Sequence, residues 1–235
     1  MKYKAIIFDL FGTLVSDLGG PQYDDILKRV ASILSVPTDD FRRIWSDTVY
    51  LRHTGVFQSV EANIIHICQE LGIKPKSKNV KLAARIRQAY ARCIMMKPRS
   101  GAMEVLSKLK QWGRKVALIS NCTPDAPAIW PETPFNPMFD ITVFSCSIGF
   151  MKPDHHIYKL TIERLGVESK DCLYVSNGQS GELRSAYEVA MYPVLITPNM
   201  DEGFLSMTPD KEEIILAKRE GTVISSLEEV LSLVD

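Results

Sequence analysis

The stretch Phe8-Asp9-Leu10-Phe11-Gly12-Thr13-Leu14-Val15 decides how the rest of the chain is interpreted. It overlaps the short apolar run Ala5–Phe8, which ends at a single carboxylate, Asp9, before the pair Gly12-Thr13. A short, continuous apolar run is typical of a strand that is buried on both faces of a parallel sheet. A carboxylate at the end of such a strand lies where open α/β sheets bind their ligands. The stretch therefore predicts a central strand with a functional acid at its carboxyl end.

Similar apolar runs recur along the chain, and helical patterns lie between them. The runs are rich in Val and Ile and occupy residues 116–119, 141–144, 172–175, 194–196 and 222–224. Residues 103–109 and 156–165 have helical spacing, and we expect Ser100 to cap the first of these helices. Strands that alternate with helices indicate a parallel sheet with right-handed crossovers. We therefore predict an α/β fold with a Rossmann-like parallel sheet as its core.

One long segment after the first strand breaks this alternation. Between residues 21 and 97 the pattern shows four helical faces and little strand, over residues 26–34, 41–48, 64–71 and 82–93. We predict an inserted α-helical cap domain of residues 17–97. The α/β core then consists of residues 1–16 and 98–235. Residues 198–212 are polar and contain prolines, which predicts a loop.

Composition and charge exclude several classes of protein. Of 235 residues, 28 are Lys or Arg and 28 are Asp or Glu, and this balance gives no support for a nucleic-acid binder or a polybasic membrane binder. No apolar segment is long enough to span a membrane, and the N-terminal run is too short for a signal peptide. The five cysteines lack zinc-ligand spacing, which favours buried thiols in a reducing compartment. We expect a cytoplasmic protein with a small-molecule substrate, and the sequence predicts no particular oligomeric state.

Polar side chains follow the first four predicted strands. They are Asp9, then Ser120 and Asn121, then Lys152, and finally Ser176 and Asn177 with Glu182 in the next helix. Because the carboxyl ends of parallel strands meet at one edge of the sheet, we expect these side chains to form one site.

In order and spacing, these segments resemble the four motifs of the haloacid dehalogenase (HAD) superfamily of hydrolases. The matching segments are Asp9-Leu10-Phe11-Gly12-Thr13-Leu14, Leu118-Ile119-Ser120-Asn121, Lys152-Pro153 and Tyr174-Val175-Ser176-Asn177 with Glu182. The resemblance covers essentially the whole chain. The predicted helical insert is similar to the cap domain that some members of that family carry after the first motif.

The resemblance implies a covalent mechanism in which Asp9 is the nucleophile and forms an ester with a phosphoryl or alkyl substrate. Thr13 would fix the loop that follows Asp9. Ser120, Asn121 and the backbone N–H groups after Ser120 would hold the substrate oxyanion. Lys152 would neutralise the clustered negative charge and orient Asp9.

The resemblance also implies binding residues and a cofactor. Mg²⁺ would be held by Asp9, the Phe11 carbonyl, Asn177 and Glu182. The substrate would contact Phe11, Gly12 and two arginines of the insert, Arg42 and Arg43. The simpler interpretation of Arg42, Arg43 and Arg52 is that they are solvated helix charges. The alternative is that one of these three arginines binds a substrate carboxylate or phosphate.

Two positions differ from the phosphatase members of the resembled family. Those members carry a second Asp at the position of Phe11, where it protonates the leaving alcohol and then activates the water. Phenylalanine transfers no proton. Those members also carry an Asp at the position of Asn177, so here the metal site loses a formal charge.

Three functions therefore remain open from the sequence. The first is Mg²⁺-assisted hydrolysis of a small phosphorylated substrate through a covalent aspartyl-enzyme intermediate. The second is metal-independent 2-haloacid dehalogenation, in which halide leaves without a proton and for which the family carries an aromatic residue at the position of Phe11. The third is a catalytically degenerate HAD fold that binds a ligand or a partner.

Overall fold

The computed structural model describes residues 3–197 and 205–235, which form a six-stranded parallel sheet surrounded by helices. The strands are β1 Ala5–Phe8, β2 Lys115–Ser120, β3 Ile141–Phe144, β4 Cys172–Ser176, β5 Tyr192–Ile196 and β6 Thr222–Ile224. Their order in the sheet is β3-β2-β1-β4-β5-β6, and every neighbouring pair is parallel. The predicted α/β fold is confirmed, and each predicted strand is present. Because β1 lies between β2 and β4, Asp9 lies near the middle of the row formed by the carboxyl ends of the strands.

Five α-helices lie between β1 and the helix that precedes β2. They are α1 Gly20–Leu34, α2 Thr38–Asp47, α3 Val49–His53, α4 Val60–Glu70 and α5 Ser77–Met95. Their apolar faces form a hydrophobic cluster of their own, which includes Phe41 and Ile64. The expected count of four helices was wrong, because α3 spans only five residues and shows no helical repeat. The helical character of the insert agrees with the sequence, while the division of the chain at residues 17 and 97 stays a prediction.

Of the remaining α-helices in the described residues, the first precedes β2 and the others follow β2 or a later strand of the sheet. These helices are α6 Ala102–Gln111, α7 Asp125–Ile129, α8 Ser145–Ile148, α9 His155–Leu165, α10 Glu182–Glu188, α11 Lys211–Glu220 and α12 Glu229–Val234. The expected cap at Ser100 was wrong, since Gly101 takes the N-cap position of α6 with φ +75°. Of the loop predicted for residues 198–212, residues 198–204 lie outside the described residues, and residues 205–210 contain no helix or strand. The predicted loop was wrong at residues 211 and 212, which form the start of α11. Within the described ranges, no helix is both long and apolar enough to cross a membrane.

Two hydrophobic clusters cover the two faces of the sheet. Ile6 and Phe8 of β1 belong to one cluster, and Ala5 and Ile7 belong to the other. This division follows from strand geometry, because successive side chains point to opposite faces. All four residues are fully buried, so β1 is packed on both faces. This packing fixes the backbone position of Asp9, which directly follows the strand.

Candidate active site

A cavity of about 600 Å³ opens at the carboxyl ends of the central strands. Asp9, Asn121 and Asn177 line it from the strand ends, and Arg42 and Trp45 line it from α2. Residues at the carboxyl ends of the strands and residues of the helical insert therefore line the same cavity. Concave sites of this volume at this edge of an α/β sheet are where small ligands bind.

Asp9 lies on the sheet side of this cavity and is 6% exposed. Its backbone N–H donates to the carbonyl of Val175 on β4, at 3.0 Å, which extends the strand pairing by one residue. One carboxylate oxygen, Oδ1, accepts from Lys152 Nζ, and the other, Oδ2, accepts from Thr13 Oγ1 at 3.3 Å. The carboxylate is therefore fixed at both oxygens.

Lys152 connects the acids of the site. Its Nζ pairs with Asp9 Oδ1 and lies 2.5 Å from Glu182 Oε2, and all three side chains are almost completely buried. Burial opposes the lysine charge, but Asp9 and Glu182 outweigh burial and raise the pKa of Lys152. Burial raises the pKa of the Asp9 carboxyl above its ordinary value, although Lys152 opposes that shift. When both carboxylates are ionised, sharing one ammonium group leaves the cluster with a net charge of −1.

Two buried tyrosines hold Glu182 at the start of α10. Tyr174 donates its hydroxyl to Glu182 Oε2 at 2.9 Å, and Lys152 Nζ donates to the hydroxyl of Tyr174 at 3.1 Å. Tyr158 donates to the backbone carbonyl of Glu182, also at 2.9 Å. Each buried polar group of this network has a partner, which fixes the geometry of the cluster.

Gly12 shapes the loop that leads away from Asp9. Its φ is +77°, and a Cβ at this position would lie 2.1 Å from Asn177 Nδ2 and 2.7 Å from Asp17 Oδ2. Only glycine tolerates both the backbone conformation and this close approach. The hydroxyl of Thr13, one residue further on, thereby reaches back to Asp9.

Ser120 and Asn121, at the end of β2, are placed differently. Ser120 is fully buried behind the cavity wall, and its Oγ has no hydrogen-bond partner among the residues that the structure describes. Asn121 lines the cavity, and its side chain exchanges two hydrogen bonds with the backbone of Lys152, at 2.8 and 2.9 Å. Asn121 thus fixes the lysine loop, while the unpaired Ser120 hydroxyl is not among the groups that line the cavity.

The four predicted Mg²⁺ ligands, namely Asp9, Phe11, Asn177 and Glu182, all line the cavity. Their oxygen atoms are the type of donor that Mg²⁺ takes. Lys152 already holds one oxygen of each carboxylate. Over residues 3–197 and 205–235, no group of three or more His, Cys, Asp or Glu side chains is arranged to hold a metal ion. The type of donor atom therefore fits Mg²⁺. Lys152 would compete with the metal for the two anionic ligands, Asp9 and Glu182.

The two predicted arginines of α2 lie in different places. Arg42 lines the cavity, and its guanidinium pairs with Asp24 Oδ1 at 3.4 Å. Arg43 points away from the cavity, is exposed and pairs with Asp40 at 3.1 Å. The structure therefore brings only Arg42 to the other site residues.

Sequence reasoning did not assign roles to several residues of the cavity. Asp17 accepts from the Met207 N–H at 2.6 Å and lies 3.4 Å from Asn177 Nδ2, and burial raises its pKa to about 6. The available signal was its position four residues after Thr13, as the first charged residue to follow Asp9. Arg87 of the insert also lines the cavity and is buried. So does Arg52, for which the sequence left open both a solvated charge and a contact with the substrate. On a helix they look like solvated charges, so no local signal distinguishes them.

Comparisons with known proteins give the family. The sequence pattern of the haloacid dehalogenase-like hydrolases matches residues 3–186. The chain is 26% identical over 178 residues to the (S)-2-haloacid dehalogenase of Pseudomonas sp. (strain YL), and the match covers 74% of each protein. It is 28% identical over 233 residues to a phosphorylated carbohydrates phosphatase of Thermotoga maritima, which covers 97% of this chain and 100% of that protein.

A similarity in structure accompanies these matches. The crystal structure of a putative β-phosphoglucomutase from Thermotoga maritima superimposes with a TM-score of 0.66 at 22% identity, over 98% of each chain. This likeness supports the fold. The family match covers most of the chain and includes all four motif segments, with Glu182. The resemblance inferred from the sequence is confirmed, and the protein belongs to the haloacid dehalogenase-like hydrolases.

Proposed function

We propose that this chain hydrolyses a small phosphorylated substrate through a covalent ester of Asp9. The observation that carries the proposal is the Asp9 carboxylate itself, which is fixed by Lys152 and Thr13 at the wall of a cavity. A carboxylate needs no activating base to act as a nucleophile, but it must be held facing the electrophile. The match to a phosphatase over 97% of this chain supports the same chemistry.

The reaction follows from this arrangement in two steps. An oxygen of Asp9 attacks the phosphorus atom, and the bond to the leaving oxygen breaks to give an aspartyl phosphate. Water then cleaves the new phosphorus–oxygen bond, which releases phosphate and restores Asp9. Lys152, which lines the cavity beside Asp9, stabilises the negative charge of the transferred group. Mg²⁺, when bound by Asp9, Phe11, Asn177 and Glu182, supplies further positive charge against the phosphoryl oxygens.

Phe11 limits the substrates that this mechanism can use. It lines the cavity two residues after the nucleophile, where it donates no proton to a leaving alcohol. The enzyme should therefore favour leaving groups that depart as stable anions, such as phenolates. The cavity of about 600 Å³ has room for a phosphorylated molecule of several carbons.

A 2-haloacid dehalogenase is the second candidate, and Phe11 favours it. Halide leaves without a proton, so the missing acid has no cost in that reaction. The intermediate would then be a carbon ester of Asp9, and no metal would be needed. The (S)-2-haloacid dehalogenase relative, at 26% identity, is consistent with this alternative.

We also propose that residues 17–97 act as a cap domain over this site. The helices of the insert have their own hydrophobic cluster, and Trp45, Arg42 and Arg52 extend from them to the cavity. Such a unit can exclude water from the reaction and select the substrate.

The test is a substrate panel, with each substrate measured in Mg²⁺ and in a chelator. The panel contains an aryl phosphate, an alkyl phosphate and (S)-2-chloropropionate, and Asp9→Asn is the control protein. We expect Mg²⁺-stimulated release of phosphate from the aryl ester, slower release from the alkyl ester and none from Asp9→Asn. Chloride release in chelator, without phosphate release, would replace the first candidate with the second. No turnover of any substrate would contradict both.

A further inference from the structure

Arg52 is a buried cation without an acidic partner. It lies at the end of α3, is 5% exposed and lines the same cavity as Asp9. Among the described residues, no carboxylate oxygen lies within ion-pairing distance of its guanidinium. Burial lowers the pKa of Arg52 to about 10, so the side chain remains charged at neutral pH. A buried, unpaired charge is unfavourable unless a counter-charge reaches it.

The described surroundings of Arg52 supply no net negative charge to balance it. Arg87 of α5 lies nearby, but its charge is matched by Asp125, whose Oδ2 is 3.2 Å from Arg87 Nη1. His53 also lines the cavity, and burial together with Arg52 and Arg87 lowers its pKa to about 3, so it is neutral. Two guanidinium groups against one carboxylate leave this part of the wall with a net charge of +1.

The contacts of Arg52 with the insert use only some of its hydrogen-bond donors. Nη1 donates to the carbonyl of Trp45 and to Thr48 Oγ1, the latter at 2.9 Å, and so caps the end of α2. The guanidinium also stacks 4.2 Å above the ring of Trp45. Nε has no hydrogen-bond partner in the described part of the chain, and the hydrogen bonds recorded there for the side chain all involve Nη1. Part of the guanidinium fork is therefore left for a ligand.

We propose that Arg52 binds a carboxylate of the substrate, at a subsite separate from the scissile bond at Asp9. This rests on the proposed function and narrows it to phosphorylated carboxylic acids. A carboxylate matches the planar fork of arginine and carries the single negative charge that the local charge of +1 requires. A second phosphate would bring about −1.5 to −2 and leave an excess of negative charge.

The test compares two ligands with the same three-carbon skeleton. 3-Phosphoglycerate carries a phosphate and a carboxylate, whereas glycerol 3-phosphate carries a hydroxymethyl group in place of the carboxylate. Their dissociation constants are measured by calorimetry in an Asp9→Asn background, where no turnover occurs. Binding is thus measured independently of whether the enzyme is a phosphatase.

We expect 3-phosphoglycerate to bind at least about tenfold more tightly than glycerol 3-phosphate. Arg52→Gln should remove this preference and leave the affinity for glycerol 3-phosphate within about twofold. The control is Arg85→Gln, which removes the same charge from an exposed position on α5 and should leave the preference intact.

Three results would overturn the proposal. They are the absence of a preference for the carboxylate ligand, an equal loss of both affinities in Arg52→Gln, and failure of both ligands to bind. If Arg52→Gln does not fold, Arg52→Lys serves in its place. It keeps the charge but loses the fork, and should weaken the preference without affecting glycerol 3-phosphate. The proposed function is tested separately, by turnover of the wild-type protein. If the wild-type protein turns over no substrate, the proposed function fails, while the calorimetry still tests the role of Arg52.

Discussion

The ion pair between Arg87 and Asp125 joins the helical insert to the sheet core, and its removal should strongly destabilise the protein. Arg87 belongs to α5 and Asp125 to α7, their side chains are 4% and 2% exposed, and the closest N–O distance is 3.2 Å. Asp125 is held further by the hydroxyl of Thr123. Arg87→Met keeps most of the apolar stem but leaves a buried carboxylate without its counter-charge.

Breaking a buried pair from one side costs about 3–5 kcal/mol. For a chain of 235 residues this corresponds to a fall in Tm of about 10 °C. The double variant Arg87→Met/Asp125→Leu should recover most of the loss, because replacing both charges by apolar groups removes the unpaired acid. Urea unfolding followed by circular dichroism, at pH 7, gives the free energies for the cycle.

Arg92→Met is the matched control. Arg92 lies on the same helix and pairs with Glu132 outside the insert, but both of these side chains are about half exposed. Its removal should change Tm little, because exposed pairs are screened by solvent. Equal losses in Arg87→Met and Arg92→Met, or a double variant less stable than Arg87→Met, would refute the reasoning.

Three further predictions concern the site. Because burial raises the pKa of Asp9 and catalysis needs its ionised form, kcat/KM should fall on acidification at a pH clearly above 3.8, and a flat profile down to that pH would contradict this. Gly12→Ala should lower the free energy of unfolding by about 1–3 kcal/mol, because the new side chain combines a φ of +77° with a clash against Asn177. Gly72→Ala is the control, since Gly72 has a φ of +66° but open space around it, and it should lower the free energy of unfolding less. Urea unfolding of both variants measures the two losses, and equal losses would contradict the role of the clash. Phe11→Asp/Asn177→Asp should raise kcat on an alkyl phosphate in Mg²⁺ by about 10²-fold or more, and no rise in a folded variant would exclude a lost proton relay.

Much of the fold was predictable because the strands are short, apolar and continuous. The continuous apolar runs predict Ile141–Phe144 and Thr222–Ile224 correctly as strands. The ends of helices were less predictable. Ser100 looked like a cap, but Gly101 adopts a left-handed conformation that only the backbone reveals. The short helix Val49–His53 gave no periodic signal at all.

The candidate site was predictable where residues follow strand ends. Asp9, Lys152 and Glu182 were expected to meet, and the structure joins them through two ion pairs. Burial of a helical charge is a tertiary property, so Arg52 could not be distinguished from the exposed Arg43 by pattern alone. The hydrogen bond from Tyr174 to Glu182 is also a tertiary contact, so the sequence pattern does not predict it.

The central claim is that Asp9 is the nucleophile, and the activity of Asp9→Asn tests it most directly. Asparagine has nearly the same shape and keeps an acceptor for Thr13, so we expect the fold and the cavity to survive. The measurement is kcat/KM for the best substrate of the panel, in wild type and Asp9→Asn, with circular dichroism and Tm recorded on the same samples. The account predicts a fall of at least about 10⁴-fold with an unchanged circular dichroism spectrum. Turnover of a folded Asp9→Asn protein within about tenfold of wild type would contradict it.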